Sequence, residues 1–476
     1  MTYLRSNTWL VYTILVVLSI AGLWLILLVG ESITLHGGSV VQAPTSGNAT
    51  AGAASLGGFT AALSTALHHP LALLLAQVIV IVLCAQGCGY ALQKLGQPRV
   101  IGEILAGIML GPSLIGAIWP EFSGWIFPQD SLPKLHLMSQ IGLVLFMFVV
   151  GMEINLGSLR AHAREALLIS HMSVVFPFLL GATLAIWLFE GYAASHVSYT
   201  IFALFMGIAM SITAFPVLAR ILMDRGMIKS PLGMMALTCA AVDDVTAWCL
   251  LAIIVALAQA GSVGGASYIL LFTLIYIAAM LWLVRPWIDR LIGSAELDRR
   301  VMVSVLLLLL ISALTTELIG LHALFGAFLA GVIMPSREHL RRAIAARIED
   351  VSTLILLPLF FAFTGLRTEI ALIDDLQSWL ICGLIILVAI LGKLGGSALT
   401  ARWSGMPWAD SLVLGALMNT RGLMELVVLN IGYDLGILSA KLFTMMVIMA
   451  LVTTFMTGPM LNLIAKYRRT VPLHSS

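Results

Sequence analysis

Apolar stretches of about 20 residues, separated by short polar segments, recur along the whole chain. A helix that crosses a bilayer needs about 20 predominantly apolar residues, because the hydrocarbon core is about 30 Å thick. The pattern predicts an all-α polytopic membrane protein with about 13 helices plus one extra N-terminal helix. The predicted helices lie near residues 9–29, 70–94, 99–117, 138–156, 165–190, 199–222, 230–259, 266–286, 300–318, 320–335, 351–367, 378–401, 408–431 and 439–465.

The first apolar run follows a single basic residue, Arg5. It is longer than the core of a typical signal peptide, so residues 1–30 are interpreted as a retained transmembrane helix, with a cleaved signal as the alternative. Residues 31–69 are rich in Gly, Ala, Ser and Thr, which is typical of a flexible linker, here extracytoplasmic. A membrane domain over 70–465 follows, and 466–476 form a short cytoplasmic tail.

Composition agrees with a membrane protein. Of 476 residues, 60% are hydrophobic and 10% are charged, and the mean hydropathy is +1.05, which excludes an ordinary soluble domain. All five cysteines lie in apolar segments, where we expect them to pack rather than form disulfides. The sequence has no phosphate loop, metal-ligand cluster or nucleophile triad, so we expect neither an enzyme nor a cofactor. The expected partner is the membrane lipid, and no nucleic-acid partner is expected.

Lys and Arg accumulate on alternate loops, as they do on the cytoplasmic side of membrane proteins. The opposite loops have little beyond Lys134 and Lys441. With an even number of helices, both termini are expected in the cytoplasm. The basic loops carry Lys94, Arg99, Arg160, Arg164, Arg225, Lys229, Arg285, Arg290, Arg299, Arg300, Arg337, Arg341, Arg342, Arg347, Arg402, Lys466, Arg468 and Arg469.

The chain also repeats itself. IGEILAGIMLGP at 101–112 matches FGAFLAGVIMP at 325–335, and LFMFVVGM at 145–152 matches LFFAFTGL at 359–366. A third pair aligns MGIAMSITAF with LGALMNTRGL. Each half therefore has five related helices, and an odd number forces the halves into opposite orientations. This inverted repeat is typical of secondary transporters.

The third matched pair predicts two broken helices at the membrane midplane, where half-helix ends face an ion. Polar and helix-breaking residues interrupt both apolar runs, and a merely kinked helix is the alternative. These residues are Ser211, Thr213 and Pro216 in the first run, and Asn419, Thr420, Arg421 and Gly422 in the second.

Two adjacent aspartates, Asp243 and Asp244, lie in the middle of another apolar run. A carboxylate at bilayer depth costs roughly 2.5 to 3.5 kcal/mol, so two in succession indicate function rather than a merely packed pair. Successive helical residues point about 100° apart, so one carboxylate can hold a proton or a cation while the other pairs with a base. The candidate base is Lys393, deep in an apolar run, with a snorkelling lysine as the alternative.

Other ionisable residues are weaker candidates. Arg421 and Glu425 are four residues apart and are expected to neutralise each other across one helical turn. Glu153 lies near a helix end. Its side chain could line an aqueous funnel or lie at the membrane–water interface, and both alternatives remain.

Several segments resemble the monovalent cation:proton antiporter-2 family, which includes Kef-type transporters, sodium/proton antiporters and plant and fungal cation/H⁺ exchangers. The segments are IGEILAGIMLGPSLIG, LFMFVVGMEINL, MSITAFPVLARIL, AAVDDVTAWCLLA, HALFGAFLAGVIMP, LPLFFAFTGLRTEI and LMNTRGLMELVVLNIG. They cover nearly all of residues 70–465.

The resemblance implies a sodium/proton antiporter-like fold and an elevator-type homodimer in a bacterial inner membrane. It implies core helices over about 165–259 and 378–465, scaffold helices over about 70–156 and 300–367, and a linker helix near 266–290. By resemblance, Asp244 is the aspartate that carries the proton and the Na⁺ or K⁺ ion, and Asp243 pairs with Lys393. Ser211, Thr213, Asn419 and Thr420 then stand at the crossing of the broken helices.

Two features depart from the family. The plant exchangers generally carry Asn-Asp where this chain has Asp243 and Asp244, which leaves the cation and the charge balance open. Plant and Kef-type relatives carry a large C-terminal domain, whereas about ten residues follow the last helix here, so we expect no gating through such a domain.

The sequence predicts a secondary active transporter that exchanges Na⁺ or K⁺ for H⁺ by an elevator alternating-access mechanism. The alternative is a gated K⁺ efflux system of the Kef type that behaves like a channel. A membrane scaffold that kept the fold without transporting is a further alternative.

Overall fold

The structure is a computed structural model that describes residues 69–153, 163–194, 197–228, 230–259, 263–292, 298–335 and 337–470. The predicted N-terminal helix near 9–29 and the linker up to residue 68 lie outside this part of the chain. The described residues are helical, apart from turns, loops and one isolated bridge between Ala193 and Leu438.

The helices are numbered here in chain order. They are α1 Pro70–Lys94, α2 Arg99–Leu110, α3 Ile115–Ile118, α4 Pro120–Ile126, α5 Leu132–Glu153, α6 Ala163–Tyr192, α7 Tyr199–Ser211, α8 Phe215–Asp224, α9 Pro231–Gln259, α10 Val263–Ala279, α11 Arg285–Ile292, α12 Arg299–Ile319, α13 Ala323–Val332, α14 Glu338–Val351, α15 Leu357–Leu366, α16 Leu376–Ile390, α17 Gly396–Trp403, α18 Trp408–Met418, α19 Leu423–Asp434 and α20 Ala440–Thr470. π-helical turns at Met280–Val284, Ser352–Leu356 and Leu391–Gly395 join α10 to α11, α14 to α15 and α16 to α17.

The predicted membrane architecture is confirmed. The described residues contain 11 helical segments long and apolar enough to cross a membrane, and the bent pair α18 and α19 gives a twelfth. The shorter apolar helix Ala323–Val332 corresponds to the predicted segment near 320–335. Each segment predicted between 70 and 465 therefore coincides with a helical segment of the structure, and the chain is a multi-pass integral membrane protein.

Glycines of the two repeats interlock across the molecule. A Cβ atom built on Gly365 of α15 would lie 2.6 Å from the backbone carbonyl carbon of Gly107 of α2. In the same way, a Cβ on Gly331 of α13 would lie 3.0 Å from that of Gly151 of α5. The first and second motifs of one repeat thus pack against the second and first motifs of the other. Small residues allow this close backbone approach between membrane helices.

Both predicted breaks are present, and they cross. The chain leaves α7 at Ser211, is extended at Ile212 and Ala214, and resumes as α8 at Phe215. The second break separates α18 from α19, which are bent by 43°. The backbone N–H of Ala214 donates to the carbonyl of Thr420 over 3.0 Å. Backbone groups that lose their helical partner in one break are therefore partly hydrogen-bonded by the other break. Both helices are therefore interrupted rather than kinked.

A polar cluster ties the start of α16 to the start of α20. Asp375 accepts a hydrogen bond from the backbone N–H of Ser378 over 3.2 Å and another from the Ser378 hydroxyl. Lys441 of α20 donates to Asp375 over 3.2 Å. The Ser378 hydroxyl and the Lys441 ammonium hold the pKa of this exposed carboxyl at about 2, so Asp375 is charged at neutral pH.

Candidate ion-binding site

Asp243 lies midway along α9, next to the crossing of the broken helices. Its carboxylate forms an ion pair with Lys393, whose Nζ is 2.9 Å from Oδ2 of Asp243. Lys393 lies on the π-helical turn Leu391–Gly395, and neither side chain is exposed. Such π-helical turns are frequent at functional sites.

Three hydroxyl groups surround the Asp243 carboxylate. The Ser170 hydroxyl donates to Oδ1 over 2.6 Å, and the Ser173 hydroxyl donates to Oδ2 over 2.7 Å. Thr213, in the first break, donates to Oδ2 over 2.9 Å. Ser170 and Ser173 are three residues apart on α6, so their side chains lie on one helix face. Asp243 therefore receives hydrogen bonds from α6, from the first break and from Lys393.

The ammonium of Lys393 is also fully satisfied. Besides its contact with Asp243, it lies 2.6 Å from Oγ1 of Thr213 and 3.0 Å from Oγ of Ser173. An ammonium has three N–H donors, and each has an acceptor here. A buried ion pair repays its desolvation cost only when the remaining hydrogen-bonding capacity is met in this way.

Asp244 follows directly and is also buried, with 1% of its surface exposed. On a helix, successive side chains diverge by about 100°, so Asp244 points away from the face that holds Asp243. The structure therefore places a second carboxylate at the same depth as the ion pair but in a different direction.

The second break contributes another buried polar side chain. Asn419 directly follows α18 and is fully buried, and within the described part of the chain neither Oδ1 nor Nδ2 has a hydrogen-bond partner. Buried amide groups normally have partners, so this side chain indicates a place where a ligand or water can bind. The preceding carbonyl, that of Met418, accepts a hydrogen bond from Thr213 over 3.2 Å. Asn419 therefore directly follows a residue, Met418, that is hydrogen-bonded to Thr213, which also donates to Asp243.

Arg421 caps the first half-helix from the second break. Its guanidinium donates to the carbonyls of Ala209 and Met210, in the last turn of α7, over 2.9 and 2.6 Å. It also forms a buried ion pair of 2.9 Å with Glu425. The last carbonyls of a helix lack partners and carry partial negative charge, so a cation is favourable there. Arg421 therefore both neutralises Glu425 and satisfies the last backbone carbonyls of α7.

Comparison with known proteins identifies the family of this chain. Residues 58–467 match the model of the family described as "Sodium/hydrogen exchanger, transmembrane". The chain belongs to the transmembrane sodium/hydrogen exchanger family. This confirms the resemblance inferred from the sequence motifs.

The curated relatives within this family are named as antiporters. The chain is 44% identical to the Na⁺/H⁺ antiporter NhaS4 of Synechocystis over 82% of this chain and 97% of the relative. It is 37% identical to K⁺/H⁺ antiporter 1 of Saccharomyces cerevisiae and 40% identical to cation/H⁺ antiporter 17 of Arabidopsis thaliana, over 83% and 84% of this chain. The match spans only 46% and 49% of those two relatives.

A solved structure supports the fold. The sodium proton antiporter MjNhaP1 from Methanocaldococcus jannaschii superimposes with a TM-score of 0.63 at 14% sequence identity. The match covers 84% of this chain and 97% of that chain. At this identity the likeness establishes the fold alone, and it confirms the sodium/proton antiporter-like fold that the family resemblance implied.

The structure brings some of the predicted site residues into contact with Asp243 and gives the hydroxyls of others different hydrogen-bond partners. Thr213 and Lys393 meet Asp243. Ser211 instead donates to the carbonyls of Val174 and Gly207, and the Thr420 hydroxyl lies 3.4 Å from that of Thr457. Glu153 ends α5, but its side chain lies outside the described residues.

Sequence reasoning missed Ser170 and Ser173. Hydroxyl residues three positions apart in an apolar helix were the available signal, but such side chains commonly donate to their own helix backbone instead.

Proposed function

We propose that this chain is a secondary active antiporter that exchanges Na⁺ or K⁺ for H⁺, with Asp244 as the shared proton and cation site. The observation that carries the proposal is the burial of two adjacent carboxylates beside the crossing, one of which, Asp243, is paired with Lys393. A second carboxylate at this depth adds a negative charge, and a proton or a monovalent cation can neutralise it. The names of the relatives, which include sodium and potassium antiporters, support the same substrates.

Oxygen ligands for a monovalent cation are available around the crossing. Asn419 supplies a buried amide oxygen with no protein partner among the described residues. Thr213 and Thr420 lie in the two breaks, and Ser211 ends α7, so their hydroxyl or backbone oxygens are close to the same crossing. Hard cations prefer carboxylate, carbonyl and hydroxyl oxygens, and this set provides all three once the Asp244 carboxylate is included.

An elevator movement is the proposed route of alternating access. The site helices pack on one another, with α6 against α7, α9 and α17, and α18 against α20. The interlocked pairs α2 with α15 and α5 with α13 form a separate set of close contacts. This grouping supports a mobile core of about 165–259 and 378–465 against a scaffold of 70–156 and 300–367. A homodimer, cytoplasmic termini and a bacterial inner membrane complete the proposal.

Transport by the purified protein in liposomes tests the proposed function. A pH-sensitive dye inside the liposomes reports proton movement when Na⁺, K⁺, Li⁺ or Rb⁺ is added outside. We expect Asp244→Asn to abolish cation-driven proton movement, because an amide cannot exchange a proton for a cation. The exposed Asp130→Asn is the matched control and is expected to transport normally.

Normal exchange by a folded Asp244→Asn protein contradicts the proposed site. The channel-like alternative has a different signature: cation flux that follows the membrane potential without cation-coupled proton movement.

A further inference from the structure

A polar cluster connects α5 and α15 to the end of α19. The guanidinium of Arg367, directly after α15, donates to Oδ1 of Asp434 over 2.7 Å and to Oδ1 of Asn430 over 3.2 Å. Nε2 of His136, near the start of α5, lies 3.7 Å from Oδ2 of Asp434. The carboxylate at the end of α19 therefore faces a basic side chain from each of two other segments.

Aromatic rings hold Arg367 in this position. Its guanidinium carbon lies 4.3 Å from the ring centroid of Phe363, on α15, and 5.3 Å from that of Tyr433, on α19. A planar guanidinium can stack on aromatic faces while it donates hydrogen bonds, whereas an ammonium cannot reproduce both. Only 22% of the Arg367 side chain is exposed, so water screens its ion pair with Asp434 less than it screens a fully exposed pair.

Two further hydrogen bonds cross the same contact. Nδ2 of Asn430, on α19, donates to Oγ1 of Thr364, on α15, over 2.8 Å. The backbone N–H of Glu369, in the turn after α15, donates to Oγ1 of Thr444, on α20, over 3.2 Å. In the proposed elevator, α15 belongs to the scaffold, and α19 and α20 belong to the core. These hydrogen bonds and the ion pair must therefore break when the core moves past the scaffold.

The cluster lies on the side of the membrane that the charge pattern makes extracytoplasmic. His136 is near Lys134 and Asp434 is near Lys441, and these two lysines belong to the loops that are poor in basic residues. Contacts between core and scaffold at this end close the space between them on the extracytoplasmic side. A movement that opens the site to that side separates α19 from α15 here.

We propose that the ion pair of Arg367 and Asp434 is a conformational latch that stabilises the state closed to the extracytoplasmic side. The proposal rests on the proposed function, because it requires the elevator movement. It has a consequence for cation binding. When only a small fraction of the protein is open to one side, the apparent dissociation constant on that side is the intrinsic value divided by this fraction. Weakening the latch raises the fraction that is open to the extracytoplasmic side.

The test measures the Km for Na⁺ and for K⁺ separately on the two sides of the membrane. Right-side-out and inside-out vesicles from cells that produce the protein are compared at one pH, and the signal from cells that produce Asp244→Asn is subtracted. Arg367→Met and Asp434→Asn should each lower the extracytoplasmic Km about fivefold, which is the lower end of the usual range for coupling between two states. The cytoplasmic Km should not fall.

Two further variants show that the shift comes from this ion pair. The double variant of Arg367→Met and Asp434→Asn should shift the extracytoplasmic Km no further than either single variant, since both remove one interaction. Arg367→Lys keeps the positive charge but loses the stacked fork of donors, so it should give a smaller shift in the same direction.

Lys441→Met is the matched control. Lys441 also forms ion pairs on the extracytoplasmic side, with Asp374 and Asp375, but these connect α20 to the start of α16, and both helices belong to the proposed core. Both Km values should therefore stay at the wild-type level in Lys441→Met.

An unchanged ratio of the two Km values in Arg367→Met and in Asp434→Asn overturns the latch. An equal shift in Lys441→Met, or additive shifts in the double variant, also overturns it. Asp434→Asn is a conservative change at a partly exposed position, so the test does not depend on Arg367→Met folding normally. Wild-type exchange in vesicles that contain Asp244→Asn instead contradicts the proposed function, which separates the two failures.

Discussion

The ammonium of Lys393 lies 2.9 Å from Oδ2 of Asp243, in a place where neither side chain is exposed. Two charges in the membrane interior are costly to bury separately, and each is stabilised here by the other and by shared hydroxyls. The pair is therefore expected to contribute to stability as well as to transport.

A double-mutant cycle measures this contribution. Asp243→Asn and Lys393→Met should each lower the free energy of unfolding by roughly 3 to 5 kcal/mol, because each leaves one buried charge without its partner. The double variant should lose clearly less than the sum of the two, as measured by thermal or chemical unfolding in detergent.

The exposed pair Arg342 and Glu338 provides the control for that cycle. Arg342→Met and Glu338→Gln should show a coupling below about 1 kcal/mol, since exposed pairs on a helix surface are screened by solvent. Strict additivity for Asp243 and Lys393 would mean that the two side chains do not interact in the folded protein.

Arg421 supports the crossing by a different mechanism. Its planar guanidinium reaches the carbonyls of Ala209 and Met210 and the carboxylate of Glu425 at once. Arg421→Met should cost roughly 3 to 5 kcal/mol of unfolding free energy, because Glu425 is then left as an unpaired buried charge. Arg421→Lys should retain part of the stability but not all of it, since an ammonium cannot reproduce the fork of donors.

Arg402 is the matched control for the capping role. It is exposed and donates to a backbone carbonyl, that of Met406, over 3.3 Å. Arg402→Met should change stability by no more than about 0.5 kcal/mol, as expected for a surface substitution. Similar losses for Arg421→Met and Arg402→Met contradict the proposed capping of α7.

The glycine contacts between the repeats predict a contrast between two alanine substitutions. In Gly331→Ala the new methyl group would lie 2.1 Å from the carbonyl oxygen of Phe148, and moving the two helices apart should cost about 1 to 3 kcal/mol. A Cβ on Gly383, in the middle of α16, meets nothing within 4 Å. Gly383→Ala should therefore gain up to about 1 kcal/mol from helix propensity. Melting temperatures in detergent check both signs, and a neutral Gly331→Ala would rule out the close helix contact.

The repeat and the breaks could be predicted from the sequence because their signals are local. Matched glycines and a proline mark close packing and helix interruption wherever they occur in an apolar run. Asp243 and Lys393 could be paired for a related reason, because a charged residue deep in a long apolar segment needs a partner.

The hydroxyl groups could not be assigned in the same way. A serine in a membrane helix can donate to its own backbone at no cost, so its sequence position does not reveal its partner. Ser211, which ends α7 at the first break, donates to backbone carbonyls, whereas Ser170 and Ser173 reach a carboxylate about seventy positions away. For Ser170 and Ser173, the packing of α6 against α9 brings their hydroxyls to Asp243.

Competition between proton and cation follows from a single shared carboxylate at Asp244. Since one group cannot hold both, lowering the pH should weaken the apparent cation affinity. At pH values where the site is mostly protonated, the Km for the cation should rise about tenfold for each unit of pH, with little change in the maximal rate.

The measurement is the Km for Na⁺ and for K⁺ from about pH 6 to 8.5. Repeating it under an imposed membrane potential shows the charge balance. If Lys393 releases a proton when the cation binds, two protons exchange for one cation and the transport rate should respond to the membrane potential. A transport rate that the potential does not change means that Lys393 and Asp243 keep their charges through the cycle. A Km that stays constant over this pH range points to separate proton and cation sites and removes Asp244 as the shared one.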